Sequence, residues 1–195
     1  MPSVELSIST QPSTLNFEGD EPMTISVSLT LKHTMPITFR ESDSSLFNGD
    51  LLHENGLTFT NLSTGELAKR GTINVCTFGL DANLTYETLG SYKTLYPGRE
   101  EVVEGTIGPM DSDFVAKFMP DHEGRWWPMA QGLESGSRYE VGISASVLAR
   151  RCAEGTKEQL LQILRPDKTL EDVAMSGAVP LVLINMAKFE CVSHD

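Results

Sequence analysis

The chain has 195 residues and a mass of 21.4 kDa, which suits one domain spanning 1–195 with a buried hydrophobic core. Hydrophobic residues make up 39% and charged residues 22%, which argues against disorder. The excess of 27 acidic over 15 basic residues gives a formal net charge of -12, which repels nucleic acid and anionic membrane surfaces. We therefore expect no nucleic-acid partner and no membrane association.

The N-terminal sequence and the cysteine usage indicate in which cellular compartment the protein resides. The first residues lack the basic and apolar segments of a signal peptide, and the apolar run at 178–184 is too short to cross a bilayer. Cys76, Cys152 and Cys191 are an odd number without the spacing of a metal site. Such cysteine usage is typical of a reducing compartment, so we predict a cytoplasmic protein.

Alternation of apolar and polar residues is the strongest local pattern. From Met23 to Lys32 every odd position is apolar and every even position is polar, which predicts a strand with one buried face. The same pattern predicts a first strand around residues 4–9. Further strands are predicted at 36–40, 57–62, 72–79, 101–107 and 114–118, and a last one, apolar on both faces in its first half like a central or covered strand, at 181–192.

A helical pattern interrupts the strands late in the chain. Thr156 and Gln159 have the spacing of a capping box, in which each residue bonds the backbone of the other. The leucines and isoleucine that follow form one apolar face, which ends at Arg165-Pro166. The pattern predicts a short helical insert, at about 145–177, before the last strand.

Residues 133–141, Leu-Glu-Ser-Gly-Ser-Arg-Tyr-Glu-Val, resemble the approach to the penultimate strand of fibronectin type III and related immunoglobulin-like domains. In those domains the Tyr packs in the core while its hydroxyl bonds to backbone upstream. The resemblance implies that Tyr139 is this corner residue and that Leu133 packs against it. Together with the strand pattern it predicts a mainly β chain folded as an antiparallel sandwich of the immunoglobulin or fibronectin type.

A broader resemblance involves several short segments besides the first two strands. They are Pro-Ile-Thr at 36–38, Trp-Trp at 126–127 and Gly-Thr-Lys-Glu-Gln at 155–159. These segments are similar to a group of uncharacterised cytosolic proteins of filamentous fungi, some of which accompany natural-product biosynthetic genes. The resemblance implies a role in secondary metabolism and carries over no catalytic residue.

The densest polar cluster lies between residues 111 and 127 and is the candidate catalytic site. His122 could act as a general base, because the flanking carboxylates of Asp121 and Glu123 would raise its pKa and orient its ring. The alternative interpretation is a solvated acidic loop. The acidic residues include ligands suited to calcium or magnesium, but Asp-x-Asp without the rest of a calcium loop does not predict a metal. No glycine-rich phosphate loop is present, so we expect no cofactor.

Substrate-binding residues are predicted in the same segment. Arg125 could hold a carboxylate or enolate oxygen, and Asp113 is a further polar candidate. Trp126 and Trp127 could wall an apolar ligand site. Adjacent strand residues face opposite ways, so at most one tryptophan belongs to the core and the other faces a pocket, an interface or a groove.

Two functions remain open from the sequence. One is a cofactor-independent isomerase, cyclase or lyase acting on an apolar, natural-product-like small molecule, with chemistry supplied by loops such as 111–127 and the tyrosine-rich 80–99. The other is a non-catalytic, immunoglobulin-like module that binds another protein. In either case exposed edge strands would permit a homodimer.

Overall fold

The computed structural model describes residues 1–41, 44–47, 51, 56–69, 89–110, 112–113, 117, 127–147, 149, 152–163 and 178–193. This part of the chain is mainly β, with two four-stranded sheets and one three-stranded sheet. None of its helices combines the length and apolar character needed to cross a membrane. The strand predicted at 72–79 lies outside the described residues.

The elements follow one another in this order: β1 (Ser3–Gln11), β2 (Thr14–Asn16), β3 (Met23–Lys32), β4 (Ile37–Arg40), β5 (Leu57–Asn61), β6 (Tyr92–Leu95), β7 (Glu100–Ile107), β8 (Arg138–Ile143), β9 (Cys152–Glu154), α1 (Lys157–Ile163), β10 (Leu181–Asn185) and β11 (Ala187–Val192). The strands predicted near 4–9, 23–32, 36–40, 57–62 and 101–107 are confirmed. Lys117 has helical backbone, so the strand predicted at 114–118 is wrong there.

The first sheet has the strand order β10-β1-β3-β7. The odd residues of β3 are buried and its even residues lie at the surface, as the alternation predicts. β3 pairs antiparallel with both β1 and β7, whereas β10 pairs with β1 in parallel. The sheet is therefore mixed and not wholly antiparallel.

The second sheet has the order β2-β11-β8-β5. β8 is antiparallel to β11 and to β5, and the short β2 runs parallel to β11. The single last strand predicted at 181–192 is wrong, because the chain crosses between sheets at Met186 and forms β10 in one sheet and β11 in the other. The apolar residues on both faces of β10 do not mark a central strand: β10 is an edge strand, and Val182 and Ile184 are 44% and 58% exposed.

The inward faces of the two four-stranded sheets contribute to one hydrophobic core. Leu6 and Leu29 belong to it from the first sheet, and Phe59, Tyr139 and Phe189 from the second. The ring of Phe189 stacks on that of Tyr139 with centroids 5.8 Å apart and meets the ring of Phe59 edge-on at 5.8 Å. Burial of these aromatic side chains gives the largest single contributions to core stability.

The third sheet, β6-β4-β9, lies next to α1 in the chain and in space. The capping box that begins α1 is confirmed: the N–H of Thr156 donates to Oε1 of Gln159 at 2.9 Å, and the N–H of Gln159 donates to Oγ1 of Thr156 at 3.2 Å. Leu160 is buried beside Tyr92 of β6. The tyrosine-rich segment at 80–99, predicted as a loop, contains strand β6. Helix α1 lies between β9 and β10, within the predicted helical insert.

Candidate functional site

The predicted site residues lie in the connection between β7 and β8. Of these, the structure describes Asp113 and Trp127. Five others, Asp121, His122, Glu123, Arg125 and Trp126, fall outside the described residues, so their roles remain predictions. Asp113 is exposed on helical backbone and is not among the described residues that line the two grooves reported below.

Trp127 is the predicted site residue that the structure places best. It precedes a 3-10 turn, Pro128–Ala130, and is 9% exposed within the main hydrophobic core. Its ring meets that of Phe17 edge-on, with centroids 5.6 Å apart and the planes at 90°. This geometry is favourable for aromatic pairs. Trp127 is therefore a buried tryptophan. It lies outside any strand, so the rule that adjacent strand residues face opposite ways does not apply to it.

The indole N–H of Trp127 lacks a hydrogen-bond acceptor within the described chain. Tryptophan nitrogens usually find a partner when they are buried. An unsatisfied buried donor costs about 1–3 kcal/mol, since it loses water without gaining another acceptor. Among the described residues this N–H is therefore an unfavourable feature, and a bound molecule could supply the acceptor only where the groove opens to expose the buried nitrogen.

Trp127 lines a groove with a volume of about 690 Å³. The other described lining residues are Phe17, Glu18, Leu133 and Ser135. Such a volume falls within the range of about 300–1,000 Å³ that is usual for small-molecule sites, but this groove is shallow and widely open to solvent instead of enclosed. The described lining contributes two aromatic rings, an aliphatic side chain, a hydroxyl and a carboxylate, but no cationic side chain.

Both walls of this groove are attached to the same strand, β11. On one side, the N–H of Phe17 donates to the carbonyl oxygen of Val192 at 3.0 Å. On the other, the N–H of Gly136 donates to the carbonyl oxygen of Cys191 at 2.8 Å. Adjacent residues of one central strand thus set the separation of the two walls.

A second groove, of about 350 Å³, lies against the other residues of the same 3-10 turn. Its described lining consists of Asp20, Pro22, Thr106, Gly108, Pro109, Met110, Pro128 and Met129. Met110, just before the predicted segment 111–127, and Pro128, just after it, both line this second groove. The second groove therefore borders both ends of the predicted catalytic segment, whereas the first borders only its end at Trp127.

Sequence reasoning missed Phe17 and Glu18. Their backbone follows an Asn turn, because the side-chain oxygen of Asn16 accepts the N–H of Glu18 at 3.0 Å. Asn16 and Gly19 in the sequence signal this turn, but nothing local shows that Phe17 meets a tryptophan far along the chain. The contact depends on long-range packing around β11, to which both walls of the groove are attached.

Among the residues that the structure describes, no three His, Cys, Asp or Glu side chains converge so as to hold a metal ion. Comparisons with protein-family models, with curated proteins and with solved structures found no match. The chemistry of the site has to be inferred from its own residues. These combine an aromatic wall, one buried donor without a described acceptor, and the carboxylate of Glu18.

Proposed function

We propose that the chain is an immunoglobulin-like β-sandwich that acts as a cofactor-independent enzyme, an isomerase, cyclase or lyase, on an apolar natural-product-like small molecule. The observation that carries the proposal is the buried indole N–H of Trp127, which has no acceptor among the described residues, beside a groove lined by Phe17 and Leu133. Two observations support the immunoglobulin-like assignment: the two four-stranded sheets contribute to one hydrophobic core, and the backbone N–H of Glu134 donates to the Tyr139 hydroxyl.

The lining favours a neutral ligand with a hydrogen-bond acceptor, such as a ketone or lactone carbonyl. Phe17, Trp127 and Leu133 offer apolar surface to a ring system, and the Trp127 N–H becomes a directed donor if the groove opens on binding to uncover its buried nitrogen. Glu18 and the formal charge of -12 disfavour an anionic ligand. A carbonyl oxygen bound to the indole would satisfy the orphaned donor and fix the orientation of the ligand.

His122 is proposed as the catalytic base. It precedes Trp127 by five residues, and five extended residues reach at most about 18 Å, so the chain length allows its imidazole to approach the groove. In an isomerisation it would remove a proton from a carbon next to the bound carbonyl and return that proton to another carbon of the same conjugated system. Arg125 would stabilise the enolate oxygen, and Asp121 and Glu123 would orient the imidazole. This sequence of steps needs no oxidant or cofactor.

Binding can be tested with Nile red, a neutral fluorescent dye that carries a carbonyl acceptor. Trp127→Phe keeps an aromatic ring next to Phe17 but removes the donor, so we expect the Kd to rise about tenfold. Phe17→Ala should weaken binding at least as much. Ile184→Ser, which changes an exposed apolar residue on β10, is the control and should leave the Kd unchanged. Equal affinities for wild type and both groove variants would refute the binding site.

Catalysis is tested separately from binding. Neutral polycyclic ketones and lactones that displace Nile red are incubated with the protein and followed by mass-resolved chromatography. His122→Ala should abolish conversion while the melting temperature stays within about 2 °C of wild type. His33→Ala is the matched control, because its ring bonds Glu154 at 2.8 Å near the third sheet. If displacing ligands are recovered unchanged from the wild type, the enzymatic proposal fails.

A further inference from the structure

Helix α1 covers the outer face of the third sheet. The inner face of that sheet gives Ile37 and Phe39 to the main hydrophobic core. On the other face, Leu160 of α1 packs in a separate cluster with Tyr92 and Ala153. The third sheet therefore lies between the main core and the helix.

The contact of α1 with the sheet is small. Of the seven residues of α1, all of which the structure describes, Leu160 alone is buried, and Ile163 is 68% exposed. A helix shorter than about 12–15 residues is unstable in water by itself, because its few hydrogen bonds do not offset the cost of nucleation. The helical structure of α1 therefore depends on the interactions that hold it to the third sheet.

Two buried hydroxyls connect the start of α1 to the sheet. The hydroxyl of Thr38 on β4 donates to the carbonyl oxygen of Gly155 at 2.8 Å. Because a hydroxyl has one proton, the 2.9 Å bond between the hydroxyls of Thr38 and Thr94 has Thr94 as its donor. The oxygen of Thr94 on β6 in turn accepts the N–H of Lys157, the first residue of α1, at 3.2 Å. These three bonds form one directed chain that ends at the first turn of the helix.

The attachment of α1 can be broken without disturbing the main core. Leu160 and the residues packed around it form a cluster of their own, so their exposure removes no side chain from the main core. When the helix separates from the sheet, water can replace the N–H of Lys157 as the donor to Thr94. Elements held by few buried apolar contacts open at a lower free energy than the core of the same protein.

We infer that α1 is a lid on the third sheet, which opens as a unit while the two four-stranded sheets stay folded. Opening uncovers the ring of Tyr92 and the hydroxyls of Thr38 and Thr94, a hydrogen-bonding surface that the closed protein hides. The helix unfolds as it leaves, because so short a helix is unstable in isolation. This inference does not depend on the proposed enzymatic function.

Native-state hydrogen exchange of the full chain, followed by NMR at low concentrations of urea, tests the inference. One reporter is the amide of Leu160, which donates to the carbonyl oxygen of Thr156 at 2.9 Å. The other is the amide of Leu29 in β3, a strand that pairs with a neighbour on each side. After correction for intrinsic rates, we expect the Leu160 amide to exchange at least about a hundredfold faster than the Leu29 amide. Its rate should also depend less on urea, because the opening of α1 exposes little surface.

Substitutions in the hydroxyl chain should destabilise the closed lid. Thr94→Val removes the hydroxyl that accepts the N–H of Lys157, so exchange of the Leu160 amide should become about tenfold faster. Thr30→Val, the same substitution on the outer face of β3, is the control and should leave exchange at Leu160 unchanged. Thr156→Ala removes the helix cap outside the third sheet and should act like Thr94→Val, which keeps the test valid if Thr94→Val fails to fold.

A substitution in the main core separates the opening of α1 from unfolding of the whole chain. Val27→Ala creates a cavity among buried residues of the main core, so it should speed exchange of the Leu29 amide and leave that of the Leu160 amide unchanged. Equal exchange rates of the two amides in the wild type overturn the inference, because α1 would then open only with the whole chain. So does a Val27→Ala variant in which both amides exchange faster by the same factor. Unchanged exchange at Leu160 in both Thr94→Val and Thr156→Ala overturns it as well.

Discussion

The hydroxyl oxygen of Tyr139 accepts a hydrogen bond from the backbone N–H of Glu134 at 3.0 Å. The ring of Tyr139 is 1% exposed and stacks on Phe189 in the core, while Glu134 lies between Leu133 and Ser135, which line the groove. The bond therefore connects the packed core to one wall of the candidate site. Stability and ligand binding should both depend on it.

Tyr139→Phe removes this hydroxyl and leaves the ring in place. We expect the free energy of unfolding to fall by about 1 kcal/mol, because the N–H of Glu134 loses its acceptor in a half-buried position. Urea denaturation followed by fluorescence measures the change. Tyr96→Phe, at a tyrosine that is 37% exposed, is the control and should change stability by less than about 0.5 kcal/mol. Equal effects of the two substitutions would contradict a stabilising role for the Tyr139 hydroxyl.

Thr156→Ala removes the side-chain oxygen that accepts the N–H of Gln159 at the start of α1. Loss of such a cap costs about 1 kcal/mol, since the backbone donor is left without its partner. Thr156→Ser keeps the hydroxyl and should restore most of the stability. Thermal unfolding of the three proteins tests this, and a serine variant as unstable as the alanine variant would show that the methyl group matters instead of the cap.

The buried thiols predict how stability varies at alkaline pH. Burial raises the pKa of Cys152 from its ordinary 9.0 to about 11, and burial together with the negative charge of Glu190 raises the pKa of Cys191 to about 12. The unfolded chain loses these protons near pH 9, whereas the folded chain keeps them. The stability that the two protonated thiols contribute should therefore be fully present below pH 9. It should be lost as the pH rises above 9, by up to about 1.4 kcal/mol per pH unit for each thiol.

Urea denaturation in the presence of a reductant, at pH 8.5 and pH 10, measures this loss. Cys191→Ala removes one of the two groups, so the difference in unfolding free energy between the two pH values should be smaller than in wild type. Lysine and tyrosine titrations contribute equally to both proteins and cancel in the comparison. The same pH dependence in wild type and variant would mean that the Cys191 thiol is not responsible.

Local signals predicted much of the fold. The alternation at Met23–Lys32 and the capping box at Thr156 each depend on neighbours in sequence, and each appears in the structure as predicted. The Tyr139 hydroxyl bonds to upstream backbone as the resemblance implies, but β8 is followed by β9, β10 and β11 and so is not the penultimate strand. The division of 181–192 into two strands was not predictable in this way. Val182 and Ile184 have the composition of a covered strand, and only the arrangement of the sheets leaves them exposed at an edge.

The candidate site was harder to predict. Trp127 stands out because tryptophan is rare in this sequence, but its environment depends on Phe17, which lies near the N-terminus and far from Trp127 in sequence. Likewise, the orphaned indole N–H is a property of the packed state, because any exposed tryptophan would bond to water. Sequence patterns identify the residue types that a site can use, whereas long-range packing decides which of them meet.

Two glycines flank the groove wall and provide a sharp test of how that wall is held. Gly132 and Gly136 both have left-handed backbone, with φ of 78° and 74°. A Cβ on Gly136 would have no atom within 4 Å, whereas a Cβ on Gly132 would overlap the carbonyl oxygen of Lys69. A side chain at either position would therefore have the same cost of adopting left-handed backbone. Only at Gly132 would it also clash with a neighbouring atom.

Gly136→Ala should lose about 1 kcal/mol of stability, which is the cost of the left-handed conformation alone. Gly132→Ala should lose about 1–3 kcal/mol more, because the turn that carries Leu133 must move away from the backbone of Lys69. Since that turn is a wall of the groove, Gly132→Ala should also weaken Nile red binding, while Gly136→Ala should leave it nearly unchanged. Chemical denaturation and dye titration of the two variants measure both effects. If the variants are equally stable and bind equally well, the close approach of Gly132 to Lys69 does not position the groove wall.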